Sequence, residues 1–241
     1  MKILIGTAGW SLPRAEQEHV ASAGSHLERY AARFPVVEIN SSFHRSHRAA
    51  TWLRWRDSVP ESFRFSVKMP KTITHTHQLR DADELVAGFL EEAGALGSKL
   101  GCLLVQLPPK LSFDPAVAGE FFASLRARTS LPIACEPRHA SWFEEAPDRL
   151  LESCRVARVA ADPARVPLAA EPGGWSGFRY YRLHGSPKIY YSAYSAEFIS
   201  ALAARVRKEQ TADRAVWVIF DNTTLGAATR NALDLAQTLR L

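Results

Sequence analysis

The stretch Phe178 to Gly185, FRYYRLHG, sets the pattern. An aromatic, β-strand-forming run closes on Arg182 and His184, then breaks at a glycine. Seven further runs of the same build occur: Lys2 to Gly6, Val36 to Asn40, Phe63 to Lys68, Gly101 to Gln106, Pro132 to Glu136, Val156 to Asp162 and Ala215 to Asn222. Most are apolar almost throughout, as strands buried on both faces require. Their spacing averages about 30 residues, the length of one βα unit with a crossover helix.

Helical patterns fill the intervals, with apolar residues three or four apart. These are Leu27, Tyr30, Ala31 and Phe34; Leu85, Phe89, Ala93 and Leu96; Val117, Phe121, Phe122 and Leu125; Phe198, Leu202 and Val206; and Ala228, Leu233, Leu235 and Leu239. Trp10 to Gly24 and Asp162 to Gly177 lack this periodicity and predict irregular or degenerate helices after strands 1 and 6. Eight strand signals in 241 residues predict an α/β fold, a single-domain TIM (β/α)8 barrel spanning 1–241. A dinucleotide-binding open sheet is disfavoured, because the first turn, GTAGWS, lacks the third glycine of the phosphate fingerprint.

Composition agrees with a globular chain: 46% hydrophobic and 23% charged excludes intrinsic disorder. No apolar run reaches the roughly 18 residues of a membrane helix, so no membrane partner is expected. The run that opens MKILIGTAGW stops too early for a secretory signal core, which predicts a cytoplasmic protein. Cys102, Cys135 and Cys154 match no zinc spacing and read as packed thiols. No G-x-S-x-G elbow, P-loop or cysteine-nucleophile signature is found. The surplus of 30 basic over 25 acidic residues, +5, points to an anionic partner.

In barrels of this type the chemistry sits at the C-terminal strand ends. Those ends carry Trp10; Glu38 and Asn40; Lys68 with His75 beyond; Gln106; Glu136 with Arg138, His139 and Trp142; Asp162; Arg182 with His184; and Asp221 with Asn222. Arg182 and His184 share a strand face and precede a glycine, the makings of an anion clamp. Glu136, His184 and Lys68 are the catalytic candidates, the first two as acid and base. Arg182, Arg138 and Lys68 would hold negative charge, and Trp10 and Trp142 would offer an apolar platform.

Glu38 and Lys68, on adjacent strands, have an alternative reading as a buried structural pair. Glu136, Asp162, His184 and Asp221 have ligand types suited to a hard metal, but arginines compete for the same carboxylates; no metal is assigned and the cofactor is left unknown. His75 and His77 read as a polar loop, and the HRSHR stretch at 44–48 as a solvated or phosphate-facing surface.

IGTAGWS at 5–11, VVEINSSFHR at 36–45, FRFSVKMPKTITH at 63–75, LLVQLPP at 103–109, ACEPRHASW at 134–142, YYRLHG at 180–185 and IFDNTTLGAATRNA at 219–232 together resemble domain-of-unknown-function family 72, the YecE-like proteins. The resemblance implies a TIM-type barrel in a soluble bacterial or archaeal protein and carries no established activity. The chain departs from the family pattern at Leu12 to Gly24, at His44 where relatives have tyrosine, and at Asp221 where they have asparagine.

The expected function is that of an enzyme acting on a small anionic or polyhydroxylated metabolite, such as a sugar phosphate or carboxylate, at the barrel mouth. Two alternatives are a metal-dependent nucleic-acid-processing enzyme, whose binding would weaken steeply with salt, and a metabolite-binding barrel without turnover. The sequence does not speak to oligomeric state.

Overall fold

Strands that are apolar on both faces need cover on both. The computed structural model, which describes residues 3–14, 16 and 23–241, supplies it by rolling the sheet into a ring with helices outside. The strands are β1 Ile3–Ala8, β2 Val36–Ile39, β3 Arg64–Lys68, β4 Leu100–Gln106, β5 Ile133–Glu136, β6 Val156–Arg158, β7 Ala160–Asp162, β8 Gly173–Gly174, β9 Phe178–Leu183 and β10 Ala215–Phe220. They are ordered β7-β9-β10-β1-β2-β3-β4-β5-β6-β8. All neighbours pair in parallel except β6 with the two-residue β8.

The two arms of that order meet in one segment. β6 pairs with β5, β7 pairs with β9, and only Val159 separates them. The Val159 N–H donates to the Cys135 carbonyl at 2.8 Å, which carries the stave across the break. Eight staves therefore close a TIM-type barrel, and they coincide with the eight runs read from sequence; Lys2, in the first of these, lies outside the described residues.

The helices are α1 His26–Ala31, α2 Ala49–Asp57, α3 Asp83–Gly94, α4 Pro115–Arg128, α5 Glu145–Ser153, α6 Ala196–Glu209 and α7 Ala227–Leu239. Local chemistry starts several of them. Ser25 and Glu28 form a reciprocal capping box on α1, and Asp114 accepts from two N–H groups of α4, with Pro115 in its first turn. Between β7 and β9 the described residues hold a 3-10 turn, Pro167–Ala170, and no α-helix, in line with the aperiodic stretch there. α1 has six residues; part of the irregular segment before it lies outside the described residues. Among the described residues no helix is long and apolar enough to cross a membrane.

Strand alternation sorts the apolar residues into two cores. Ile5, Val37, Phe65, Val67, Leu103, Val105, Cys135, Leu183 and Val218 pack outward against the helices. Val36, Cys102, Leu104, Ala134, Ala157, Val159, Phe178, Tyr180, Trp217 and Ile219 fill the barrel. Phe178, Tyr180 and Trp217 floor it, with ring centroids 5.6–6.2 Å apart. Burial pushes the Cys102 and Cys135 thiols up, consistent with packed, inert cysteines.

One joint is unusually tight. The Tyr30 hydroxyl of α1 accepts from Thr7 N–H at 2.8 Å and donates to the Val36 carbonyl at 2.9 Å, bridging β1 and β2. A Cβ on Gly6 would stand 2.0 Å from that carbonyl oxygen and 2.9 Å from the hydroxyl. Gly6→Ala should therefore destabilise the protein by about 3 kcal/mol, because the obstacle is backbone; urea unfolding measures it.

Candidate functional site

The inward faces that fill the barrel continue upward by steps of two residues, and there they become polar. Val36 is followed by Glu38, Ser66 by Lys68, Leu104 by Gln106, Ala134 by Glu136, Tyr180 by Arg182 and His184, and Ile219 by Asp221. Six staves thus deliver ionisable or amide groups to one layer at the C-terminal mouth, as strand alternation dictates.

Arg182 organises the layer. It is 1% exposed and uses its whole fork: Nη2 lies 2.6 Å from Glu38 Oε1 and 3.0 Å from Asp221 Oδ2, Nε lies 3.0 Å from Glu38 Oε2, and Nη1 lies 2.9 Å from Glu136 Oε2. Tyr180 O–H donates to Glu38 Oε2 at 2.7 Å from below, with the Ser66 hydroxyl at 2.9 Å. His184 sits between two carboxylates, Nε2 at 3.0 Å from Glu136 Oε1 and Nδ1 at 3.0 Å from Asp221 Oδ2. Arg138 closes the rim, donating from Nε and Nη2 to Glu136 Oε1 at 3.1 and 3.0 Å. Asn40 reaches Asp221 Oδ1 at 3.4 Å.

The charges set one another's protonation. Burial alone would raise the Glu136 carboxyl, yet Arg182, His184 and Arg138 hold it well below the usual range. Asp221 is lowered against the same burial by Arg182, His184 and Lys68. Burial opposes charge on His184, but Glu136 and the bonds to both carboxylates outweigh it and favour the imidazolium. Lys68 goes the other way. Burial, reinforced by Arg182, brings its ammonium down to about 8 despite Glu38, Glu136 and Asp221. Burial and the cations Lys68, Lys71 and Arg138 lower His75 to about 4, leaving it a neutral imidazole at pH 7.

Glu38, Asn40, Lys68, Gln106, Glu136, Arg138, Arg182, His184 and Asp221 thus belong to the mouth, with His75 edge-on to Phe43 at its border. Glu38 takes Arg182 as its ion-pair partner, not Lys68. The other candidates are placed elsewhere. Asp162 and Asn222 fall on the opposite strand parity: Asp162 accepts from Tyr194 O–H at 2.8 Å, and Asn222 Nδ2 donates to Ser192 O and Asn231 Oδ1, both at 2.9 Å. Trp142 is fully buried, donating from Nε1 to Leu111 O at 3.0 Å, and His139 Nδ1 caps the short turn Ala140–Trp142 that ends on it. Trp10 packs edge-on against Trp55. Neither tryptophan joins the hydrogen-bonded layer. Of the four metal-suited donors, Glu136, His184 and Asp221 meet through hydrogen bonds and Arg182, while Asp162 is turned away; no group of three or more His, Cys, Asp or Glu among the described residues is arranged to hold a metal ion.

A pocket of about 310 Å³ opens beside this layer, lined by Glu136, Arg138 and His184 together with Pro163, Arg165 and Ile189. Tyr190 stands edge-on to His184, ring centroids 5.7 Å apart. Sequence reading overlooks Ser66 and Tyr180, although both lie two residues below chosen positions on the same face. Arg165, Ile189 and Tyr190 lie on loops, where no periodicity points to them.

The profile of the DUF72 family, proteins of unknown function, matches residues 4–241. The chain belongs to the DUF72 family. It is 34% identical over 179 residues to the UPF0759 protein YecE of Escherichia coli K12, covering 70% of this chain and 62% of that protein, so the match spans less than two thirds of the relative. The UPF0759 protein YunF of Bacillus subtilis 168 is 26% identical over 148 residues, 58% of this chain and 52% of that one. Among solved structures, a DUF72 protein of Enterococcus faecalis V583 superposes with a TM-score of 0.82 at 24% identity, covering 99% of this chain and 96% of that one. One from Thermotoga maritima MSB8 gives 0.79 at 22% identity over the whole of both chains. These likenesses establish the DUF72 barrel and leave its chemistry to the residues at the mouth.

Proposed function

We propose that the barrel mouth binds a small anionic metabolite, such as a sugar phosphate or carboxylate, and performs proton-transfer chemistry on it with Glu136 and His184. The observation that carries this reading is the imidazole of His184 held at 3.0 Å from both Glu136 and Asp221 on the wall of a pocket that Arg138 and Arg165 also line. A histidine whose charged form is favoured at the edge of a cavity has the makings of a general acid. Arg138 holds Glu136 through Nε and Nη2, which leaves Nη1 for a carboxylate or phosphate.

Binding and proton transfer are coupled in this arrangement. An anion that takes Arg138 removes one of the cations that depress Glu136, which makes that carboxylate a stronger base. Glu136 then accepts a proton from the ligand, and the His184 Nε2–H that its carboxylate had held is released to donate in turn.

The test begins with phosphorylated and carboxylated metabolites, with product analysis on each one that binds. Glu136→Gln and His184→Ala are each expected to lower turnover about 10²- to 10⁴-fold, the usual contribution of a positioned acid or base, with cooperative unfolding retained. Unchanged turnover and affinity in both variants would overturn the assignment.

A further inference from the structure

The geometry points to Lys68 as an imine-forming lysine, so that the metabolite taken by the mouth carries an aldehyde or ketone; this deepens the small-anion reading above and rests on it for where the rest of the ligand sits. Lys68 closes β3 on the inward face, two residues above Ser66, and is 8% exposed. The other buried cations are fully engaged. Lys99 Nζ donates to the Arg56 and Val59 carbonyls at 2.7 Å, Arg158 binds Asp148 and two carbonyls, and Arg182 binds Glu38 and Glu136. Among the described residues no hydrogen bond or ion pair involves Lys68 Nζ, which stands over the Phe43 ring, 4.1 Å from its centroid.

The nearby carboxylates are already committed: Glu38 to Arg182 and Tyr180, Glu136 to Arg182, Arg138 and His184, Asp221 to Arg182, His184 and Asn40. A lysine kept to hold charge would be bonded as Lys99 is. With its stem buried and no protein acceptor at Nζ, the ammonium is poorly solvated, and losing its proton relieves the cost. The groups around Lys68 are Arg182 from β9, Glu38 from β2, Glu136 from β5, Asp221 from β10 and His75 from the turn after β3; their balance, with burial foremost, brings it down to about 8. At pH 7 about a tenth of the side chain is then free amine, some 300-fold more than for a lysine at its ordinary value. Desolvation beside a second cation is a recognised way to make lysine a nucleophile.

The chemistry balances without an oxidant or reductant. The Nζ lone pair attacks the carbonyl carbon, the C=O π pair moves to oxygen, and a proton passes from nitrogen to that oxygen. The nitrogen lone pair then forms C=N as the C–O bond breaks, and hydroxide leaves with a further proton as water.

Reductive trapping tests this on the unmodified protein. Glyoxylate, an aldehyde bearing a carboxylate, is added with cyanoborohydride at pH 7, and early time points are mapped by peptide mass spectrometry. Lys68 is expected to carry the carboxymethyl amine at least about tenfold faster than exposed Lys71, Lys110, Lys188 and Lys208, from its larger free-amine fraction. Lys68→Arg should reduce early labelling to the surface rate. Labelling of Lys68 no faster than those lysines, in protein that still unfolds cooperatively, overturns the proposal. Glycolaldehyde, the uncharged counterpart, separates the two readings: faster capture of glyoxylate supports both, whereas equal fast capture keeps the lysine assignment and removes the anion preference.

Discussion

Arg182→Met should cost the protein about 3–5 kcal/mol of stability at neutral pH, the usual loss when one partner of a buried ion network is removed. The side chain is 1% exposed and binds three carboxylates at 2.6–3.0 Å. Methionine fills comparable space but leaves Glu38, Glu136 and Asp221 with less opposite charge than their burial demands. An exposed pair such as Arg149–Glu145 should lose less than about 1 kcal/mol on the same treatment.

The pH dependence has a definite sign. In the parent protein Glu136 and Asp221 are held below their ordinary values, so the stability they contribute is present above those values and is lost as pH falls through the folded ones. Without Arg182 burial dominates and their folded values rise, so mild acid relieves the variant. The gap between the two proteins narrows on acidification. Urea unfolding at neutral and mildly acidic pH measures both effects; a variant within 1 kcal/mol of the parent, or a gap that widens in acid, contradicts the network.

Lys68→Met should act in the opposite direction, stabilising the protein by about 1–3 kcal/mol at pH 7. Bringing a lysine from 10.5 to about 8 corresponds to a penalty on the order of 3 kcal/mol for burying its charge, already net of the nearby carboxylates. Methionine keeps the stem and a favourable sulfur contact for Phe43. Between about pH 8 and 10.5 the unfolded parent chain binds the extra proton, so parent stability rises there. The advantage of Lys68→Met should therefore be full below pH 8 and shrink above it. A destabilised variant at pH 7, or an advantage independent of pH, would show that the lysine supports the fold. Stability sacrificed at one buried group is the mark of a site kept for function.

The barrel was legible because each inner layer repeats one grammar, an apolar run closed by a polar residue. α2 and α5 were not. α2, AATWLRWRD, has no side-chain cap, and its tryptophans are interleaved with arginines; α5, EAPDRLLES, opens on charge and carries Pro147 in its first turn. Their helicity comes from packing against the sheet, not from local signals.

The site divides the same way. Period-2 arithmetic places Glu38, Lys68, Glu136, Arg182, His184 and Asp221 on one face and sends Asp162 and Asn222 to the other. Strand ends chosen without regard to parity therefore included two residues that tie the staves to Tyr194 and Asn231. What no strand pattern encodes is the choice of partner. Glu38 meets Arg182 across the barrel, 144 residues away in sequence, and only ring closure brings them together.

The most direct measurement is thermal unfolding in the presence of sugar phosphates, small carboxylates and uncharged molecules of matching shape. Linkage predicts that a ligand of the right class adds about 2.7 kcal/mol at a hundredfold excess over its Kd. The mouth described here predicts this from at least one anion, little from its uncharged counterpart, and loss of the effect in Arg138→Met. Stabilisation by uncharged molecules alone, or by an anion whose effect survives Arg138→Met undiminished, would contradict it.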